Sequence, residues 1–125
     1  MKIKHLYLLV RIELMRQTFK HAINGFFAAL KSERNMKIHV TAAFIVIVLG
    51  FYLHISIIHW AILLVCIGTV LSAELLNSSI EKIMDLLHPE NHEKVKIIKD
   101  MAAGAVLVLS VVSAIVGVLI FWTYV

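Results

Sequence analysis

Five polar residues are spaced along one apolar segment so that a helix would present them on a single face. Their offsets are 0, 3, 4, 7 and 11, and at about 100° per residue they fall within about 100° of one another. Carboxylates sharing a face can take a proton from a substrate hydroxyl or hold a hydrated divalent cation. This acidic face, which is the candidate working surface, consists of Glu74, Asn77, Ser78, Glu81 and Asp85.

The acidic residues on this face are expected to differ in depth. If the helix enters lipid near His59, Glu74 lies roughly 22 Å along it, inside the hydrocarbon. A carboxylate there costs at least about 2.5 kcal/mol, so function or pairing is the default explanation. Packing of a protonated Glu74 alone would not require Glu81 and Asp85 on the same face. We expect Glu74 to act as a general base and Glu81, nearer water, to help hold a cation, whereas Asp85 is equally compatible with a solvated helix end.

Other ionisable residues lie where the apolar stretches begin or end. Glu33 could supply a second carboxylate for a cation, although alone it would be interpreted as a surface charge. Lys99 and Asp100 bring a cation and an anion to the start of the last apolar stretch, which a snorkelling lysine with an ordinary neighbour explains equally well. His88 and His92 are four residues apart, but the chain's one proline lies between them and would break the helix that aligns them.

The elements that position these residues are membrane helices. Of the 125 residues, 61% are hydrophobic, and the mean hydropathy of +0.91 is far above that of soluble domains. No Lys, Arg, Asp or Glu occurs in 38–73 or 101–125. As one helix the first stretch would be about 54 Å long against a hydrocarbon layer of about 30 Å, so it must fold back between Gly50 and His59. The sequence therefore predicts an all-α integral membrane protein with spans at 37–55, 59–87 and 94–123.

The remaining N-terminal segment is predicted to form an amphipathic surface helix over residues 6–32. Its apolar residues recur at spacings of three and four and its other side is basic, a pattern typical of helices lying in the membrane interface. Packing against a soluble partner is the alternative. With the three spans, this helix makes residues 1–125 a single membrane domain.

Charge placement predicts the topology and excludes several classes of protein. Lys and Arg crowd the N-terminal segment and the region 81–100, so both are expected to be cytoplasmic and the C-terminus external. The apolar run Leu6–Val10 is too short for a cleaved signal peptide. The lone Cys66 cannot form a disulfide within the chain, and a net charge of +4 gives no case for nucleic acid.

The residues alone leave more than one function open. An intramembrane Glu74 also suits a small proton-coupled transporter, although a transporter usually keeps its polar groups near the middle of the bilayer rather than at one surface. A structural scaffold would tolerate amides in place of the carboxylates. No glycine-rich phosphate loop or protein-kinase signature occurs, so an ATP site would have to be assembled differently.

Three segments resemble the prokaryotic diacylglycerol kinase family. These are Glu33-Arg-Asn-Met-Lys-Ile-His39, then Glu74-Leu-Leu-Asn-Ser-Ser-Ile-Glu81 with Asp85, and, after His92, Lys99-Asp-Met-Ala-Ala-Gly-Ala-Val106. The resemblance extends over about residues 19–121. It implies a homotrimer in the bacterial cell membrane, built from three-span chains with an N-terminal surface helix and with active sites between neighbouring subunits. It also implies phosphoryl transfer from ATP, with Mg²⁺, to a lipid hydroxyl.

The same resemblance implies a role for each candidate residue. Glu74 would be the base that deprotonates the lipid hydroxyl, with Asn77 beside it, and Glu33 and Glu81 would bind the metal ions on ATP. The resemblance implies contacts to phosphate and nucleotide for Lys99, Asp100, Glu90 and His92. It implies supporting positions for Asp85 and Ser78.

One position bears on the lipid substrate. The branch of the family that is specific for diacylglycerol has an acidic residue where this chain has His39. The segment Glu-Arg-Asn-Met-Lys-Ile-His is similar to the branch that phosphorylates undecaprenol. Undecaprenol is therefore the favoured acceptor and diacylglycerol the alternative, on similarity alone.

Overall fold

A computed structural model describes residues 2–125, which form two units, one ending at Ser32 and the other running from Glu33 to Val125. The elements are all α-helices, and three of them are long and apolar enough to cross a membrane. The prediction of an all-helical membrane chain with three such helices is confirmed. In chain order the helices are α1 (Lys2–Ser32), α2 (Arg34–Tyr52), α3 (Ile57–Leu87) and α4 (Glu93–Trp122).

The first unit is the single helix α1, which begins four residues before the predicted surface helix. On its exposed surface Arg16 donates a hydrogen bond of 2.8 Å to Glu13. This bond lowers the pKa of the Glu13 carboxyl and raises the pKa of the Arg16 guanidinium. A position in the membrane interface stays a prediction for this helix.

The second unit contains α2, α3 and α4, which start three, two and one residues before the predicted spans. The extended backbone of Glu33, with φ −103° and ψ 122°, separates the two units and caps α2. The helix α2 therefore includes Arg34 and Lys37, because a helix can continue beyond the hydrocarbon layer of the membrane. The helix α3 packs mainly against α4 and less extensively against α2.

A tight turn over residues 53–56 joins α2 to α3. His54 adopts a left-handed backbone conformation with φ 52°, which an L residue rarely tolerates. Ser56 caps α3 by accepting a hydrogen bond from His59 N. At Gly50 the ring of Trp60 comes so close that a Cβ would lie 2.8 Å from it, so any larger residue here would have to displace the Trp60 ring.

The best-packed apolar cluster lies at the hairpin end of this unit. Ile55, Leu63 and Ile120 are buried together. Beside them the Tyr124 hydroxyl accepts a hydrogen bond of 2.9 Å from Ser56 N and lies 2.7 Å from His59 Nδ1. Tyr124, two residues after α4, is therefore tied to the turn that precedes α3, which fixes the two long helices side by side at this end.

At the opposite end, residues 88–92 join α3 to α4. The helix α3 ends at Leu87, two residues before Pro89, as expected because proline disfavours a helical conformation in the residue before it. His92 then caps α4, and its Nδ1 accepts a hydrogen bond of 3.1 Å from Lys94 N. We call this the charged end, because α3 carries Glu81 and Asp85 here.

Candidate active site

Part of the acidic face is deeply buried within the second unit. Glu74, Asn77 and Ser78 on α3 are 2%, 4% and 4% exposed. They lie on the side of α3 that packs against its neighbours, because residues three and four apart share one side of a helix. A carboxylate, an amide and a hydroxyl are thus enclosed together, roughly two and a half to three and a half helical turns before α3 ends at Leu87.

One carboxylate oxygen of Glu74 lacks a hydrogen bond in the described part of the chain. Within residues 2–125, Glu74 Oε2 has no hydrogen-bond partner, and the nearest ionisable group recorded beside it is His39 Nε2 at 3.9 Å. The carboxylates of Glu81 and Glu33 face Glu74 closely enough to repel a negative charge on it. A buried carboxylate with an unused lone pair and like charges around it is suited to accept a proton.

Asn77 connects Glu74 to the next turn of the acidic face. Its Nδ2 donates a hydrogen bond of 3.2 Å to Glu81 Oε1, which fixes one oxygen of that carboxylate. Its own Oδ1 is buried and, in the part of the chain that the structure describes, accepts no hydrogen bond. The amide therefore orients Glu81 and leaves an acceptor directed at the same enclosed space.

Glu33 reaches this region from the start of α2. Its carboxylate pairs with the ammonium group of Lys82 on α3. Glu33, Glu74 and Glu81 consequently approach one another from two helices, with Lys82 paired to the first of them. We call these three the carboxylate cluster.

The predicted nucleotide residues line a cleft of about 510 Å³ at the charged end. Lys99 on α4 pairs with Asp85 on α3, and Lys96 Nζ donates a hydrogen bond of 2.6 Å to Asp100. The side chains of Glu90 and His92 line the same cleft from the α3–α4 connection. Asp85, which lines the cleft, lies four residues beyond Glu81 of the carboxylate cluster, about 6 Å along α3.

The sequence profile described as prokaryotic diacylglycerol kinase matches residues 20–121. The chain belongs to this family. Membership makes it a lipid kinase, and the matched region includes α2, α3 and α4 up to Phe121, together with both groups of candidate residues.

Named relatives agree with this assignment. The undecaprenol kinase of Bacillus subtilis (strain 168) is 44% identical over 105 residues, covering 84% of this chain and 85% of that protein. A diacylglycerol kinase of Synechocystis sp. is 38% identical over 101 residues, covering 80% of this chain and 58% of that protein. The diacylglycerol kinase of Escherichia coli (strain K12) is 29% identical over 100 residues, covering 80% and 82%.

Kinases of this family need a metal for phosphoryl transfer, and the oxygen donors of the carboxylate cluster fit one. Among the described residues no group of three or more His, Cys, Asp or Glu side chains could hold an ion unaided. Mg²⁺ is usually held by one or two protein carboxylates and completes its shell with water and substrate phosphates. Glu33 and Glu81 are the two carboxylates that could provide this.

Three residues at the site were not assigned a site role from the sequence. His39 was considered only as a marker of substrate preference, although an ionisable side chain within a span is itself a functional signal. Lys82 and Lys96 pair with Glu33 and Asp100, but nothing in the sequence separates these lysines from the other charges between 81 and 100.

Proposed function

We propose that this chain transfers the γ-phosphoryl group of ATP to the hydroxyl group of a membrane lipid, most specifically undecaprenol, at the cytoplasmic membrane surface. The observation that carries the proposal is the buried Glu74 carboxylate, whose Oε2 has no hydrogen-bond partner in residues 2–125. Membership of a lipid kinase family gives that carboxylate a substrate, because the hydroxyl of a membrane lipid lies near the boundary between hydrocarbon and water.

In the proposed reaction the oxygen of the lipid hydroxyl attacks the γ-phosphorus while Glu74 takes the proton of that hydroxyl. The bond between the γ-phosphorus and the bridging oxygen breaks, and ADP leaves with that oxygen. Asn77 supports this step by holding Glu81 through its amide group. Ser78, buried one turn from Glu74, helps enclose the site and keep water away from the transferred group.

The cleft at the charged end is proposed to hold the nucleotide. Lys99 is held by Asp85, so its ammonium group stays in the cleft where it can neutralise phosphate charge. Asp100, Glu90 and His92 order the remaining contacts. When bound, Mg²⁺ held by Glu33 and Glu81 would offset the charge on the β- and γ-phosphates, and Lys82 would release Glu33 for that role.

Undecaprenol is proposed as the acceptor because the Bacillus subtilis relative bears that name. The second candidate is diacylglycerol, which the Synechocystis and Escherichia coli relatives favour. His39 bears on the choice between these two acceptors, because its side chain lies beside Glu74 and would contact the hydroxyl end of the lipid.

The working form is proposed to be a homotrimer with sites shared between neighbours, its N-terminus and α3–α4 connection on the cytoplasmic side. Support for the topology comes from the Lys and Arg residues, which occur before residue 38 and between 82 and 99 and not at the α2–α3 turn. Cross-linking in membranes followed by mass measurement would test the trimer, and a chain that stays monomeric while active would contradict it.

The experiment is a side-by-side assay of undecaprenol and diacylglycerol in identical micelles, with ATP labelled on its γ-phosphate. We expect label in undecaprenyl phosphate and a fall of roughly 10²- to 10⁴-fold in Glu74→Gln, because the amide cannot accept the proton. Glu13→Gln, which changes an exposed carboxylate of α1, is the matched control and should keep full activity. Unchanged activity in Glu74→Gln would refute the assigned base. Proton flux into liposomes without nucleotide would instead favour a transporter.

A further inference from the structure

Two histidine rings lie next to each other in the cleft that is proposed to hold the nucleotide. His88 follows the last residue of α3, His92 precedes the first residue of α4, and both line the cleft. The centroids of their imidazole rings are 6.2 Å apart, with an angle of 37° between the ring planes. We call these residues the histidine pair. Since α3 ends before Pro89, the pair is formed by the ends of two packed helices and not by one helix face.

The backbone at both residues of the histidine pair is held by hydrogen bonds. His88 N donates one of 2.9 Å to Met84 O, and the proline that follows restricts the backbone of His88. On the other side, His92 O accepts one of 3.0 Å from Lys96 N, and His92 Nδ1 accepts one of 3.1 Å from Lys94 N. Both rings thus project from ordered backbone, so binding a ligand between them requires little further ordering.

The hydrogen bond at the His92 ring indicates what the pair can bind. Because Nδ1 accepts a proton from Lys94 N, the proton of the neutral ring is on Nε2. His92 in this arrangement has no free lone pair with which to coordinate a metal ion. The pair offers instead flat ring faces and one N–H donor, which suit a flat aromatic ligand.

The histidine pair lies nearer the α3–α4 connection than the residues proposed to bind phosphate. Lys99 follows His92 by seven residues, nearly two turns, so the two share one side of α4 and are about 10 Å apart along it. Asp85, which pairs with Lys99, precedes His88 by three residues on the same side of α3. A nucleoside triphosphate has the same division, because its ribose separates charged phosphates from a flat nucleobase. With the phosphates at Lys99, the nucleobase is directed toward the histidine pair.

We infer that the histidine pair clamps the nucleobase of the phosphoryl donor and that His88 makes the site prefer purines. This inference rests on the proposed transfer from ATP and adds the element that recognises the nucleotide. Stacked carbon atoms are best placed about 3.5–4.0 Å apart, so a nucleobase between two rings needs about 7 Å, roughly 1 Å more than their present separation. Both side chains are exposed and can rotate by this amount. A purine covers the rings more fully than a pyrimidine does, so ATP should bind better than CTP.

Three substitutions separate stacking from other roles of the histidine pair. His88→Ala removes one ring of the clamp. His88→Phe keeps a flat aromatic face and removes the ring nitrogens. His5→Ala is the matched control, because it removes an exposed imidazole from α1 at a position outside the residues that match the family.

The test measures kcat and KM for ATP and for CTP with undecaprenol as the acceptor. We expect His88→Ala to raise the KM for ATP about fivefold or more and the KM for CTP less than about twofold, with kcat for ATP unchanged. His88→Phe should keep the KM for ATP within about twofold of the wild type, and His5→Ala should change neither KM. An unchanged KM for ATP in His88→Ala would overturn the inference. An equal rise for both nucleotides would also overturn it, because that result indicates a disturbed cleft. So would equal losses in His88→Phe and His88→Ala, because stacking is then not the interaction removed.

A second measurement locates the nucleobase without relying on turnover. An ATP analogue that carries an azide on its purine ring is photolysed with the wild-type protein in micelles, and the labelled peptides are identified by mass spectrometry. Labelling within residues 88–92 that excess ATP suppresses supports the inference, and labelling confined to other segments overturns it. Failure of the proposed function is distinct, since the wild type would then phosphorylate neither undecaprenol nor diacylglycerol.

Discussion

His39 on α2 faces Glu74 on α3, with Nε2 of the imidazole 3.9 Å from Oε2 of the carboxylate. The separation exceeds a hydrogen bond, yet a small rotation of either side chain would close it. The side chain of Glu74 is 3% exposed and that of His39 is 20% exposed, so both groups are largely removed from water. A polar side chain from another helix is thus directed at the candidate base, which suggests that α2 helps to orient it.

We expect His39→Leu to lower kcat roughly tenfold, which corresponds to about 1.4 kcal/mol in the barrier, because Glu74 would lose the polar group that orients it. His39→Gln keeps an N–H donor at a similar distance and should retain more of the activity. The measurement is kcat and KM for both variants at saturating ATP. Equal losses in the two variants would show that the ring's packing, rather than its polarity, is what matters.

The pairing of Glu33 with Lys82 predicts a competition that can be measured. If Glu33 binds Mg²⁺, Lys82→Met should lower the Mg²⁺ concentration needed for half-maximal activity, because the metal no longer displaces an ammonium group. Glu33→Gln should raise that concentration several-fold, because a carboxylate ligand is lost. Titrations of activity against Mg²⁺ at fixed ATP test both. If both variants shifted the half-maximal Mg²⁺ concentration in the same direction, the assignment of Glu33 as a metal ligand would be contradicted.

Lys99 and Asp85 should affect ATP binding to different extents, because Lys99 is proposed to contact the phosphates and Asp85 to hold Lys99 in place. Lys99→Met is expected to raise the KM for ATP at least tenfold, since it removes the cation from the cleft. Asp85→Asn should raise it only two- to threefold, because Asp85 only restrains the ammonium group. Their stability effects should be small, at most about 1 kcal/mol, as the side chain of Asp85 is 65% exposed. Equal KM effects would mean that Asp85 also contacts the nucleotide.

The sequence was informative about the helices because their signals are local. Two long stretches without charge and a proline after α3 were sufficient to locate three apolar helices within three residues of their observed starts. The α2–α3 break was predicted within Gly50 to His59, with spans ending at 55 and resuming at 59, and the structure places it at 53–56. The helix α2 ends earlier because His54 adopts a left-handed backbone conformation, which no pattern in the sequence specifies.

The site was less accessible to sequence reasoning because its parts come from different helices. The face shared by Glu74, Asn77 and Glu81 follows from helical spacing alone. The pairing of Lys82 with Glu33 and the approach of His39 to Glu74 depend on how α2 is rotated against α3, which no periodicity specifies.

The close approach at Gly50 can be tested by stability. Gly50→Ala places a Cβ 2.8 Å from the Trp60 ring and 3.2 Å from Ile55 Cδ1, so we expect a loss of about 1–3 kcal/mol. Gly68→Ala has open space around its Cβ and should be neutral or stabilising by up to about 1 kcal/mol, because alanine favours a helix. Unfolding of the two variants in the same micelles, followed by circular dichroism, gives the comparison. Equal stability would show that Trp60 moves aside freely.

The Tyr124 hydroxyl joins the segment after α4 to the start of α3. Tyr124→Phe removes the acceptor for Ser56 N and the partner of His59 Nδ1, and should cost about 1 kcal/mol of stability. His59 is 15 residues from Glu74, roughly 22 Å along α3, so kcat should stay unchanged.

The matched control is Tyr52→Phe, since Tyr52 is 77% exposed and its hydroxyl removal should change neither quantity. Thermal unfolding and initial rates on the same preparations separate the two effects. A fall in kcat without a fall in Tm would mean that this end of the bundle is coupled to the acidic face, and that α3 transmits movement of the hairpin to Glu74.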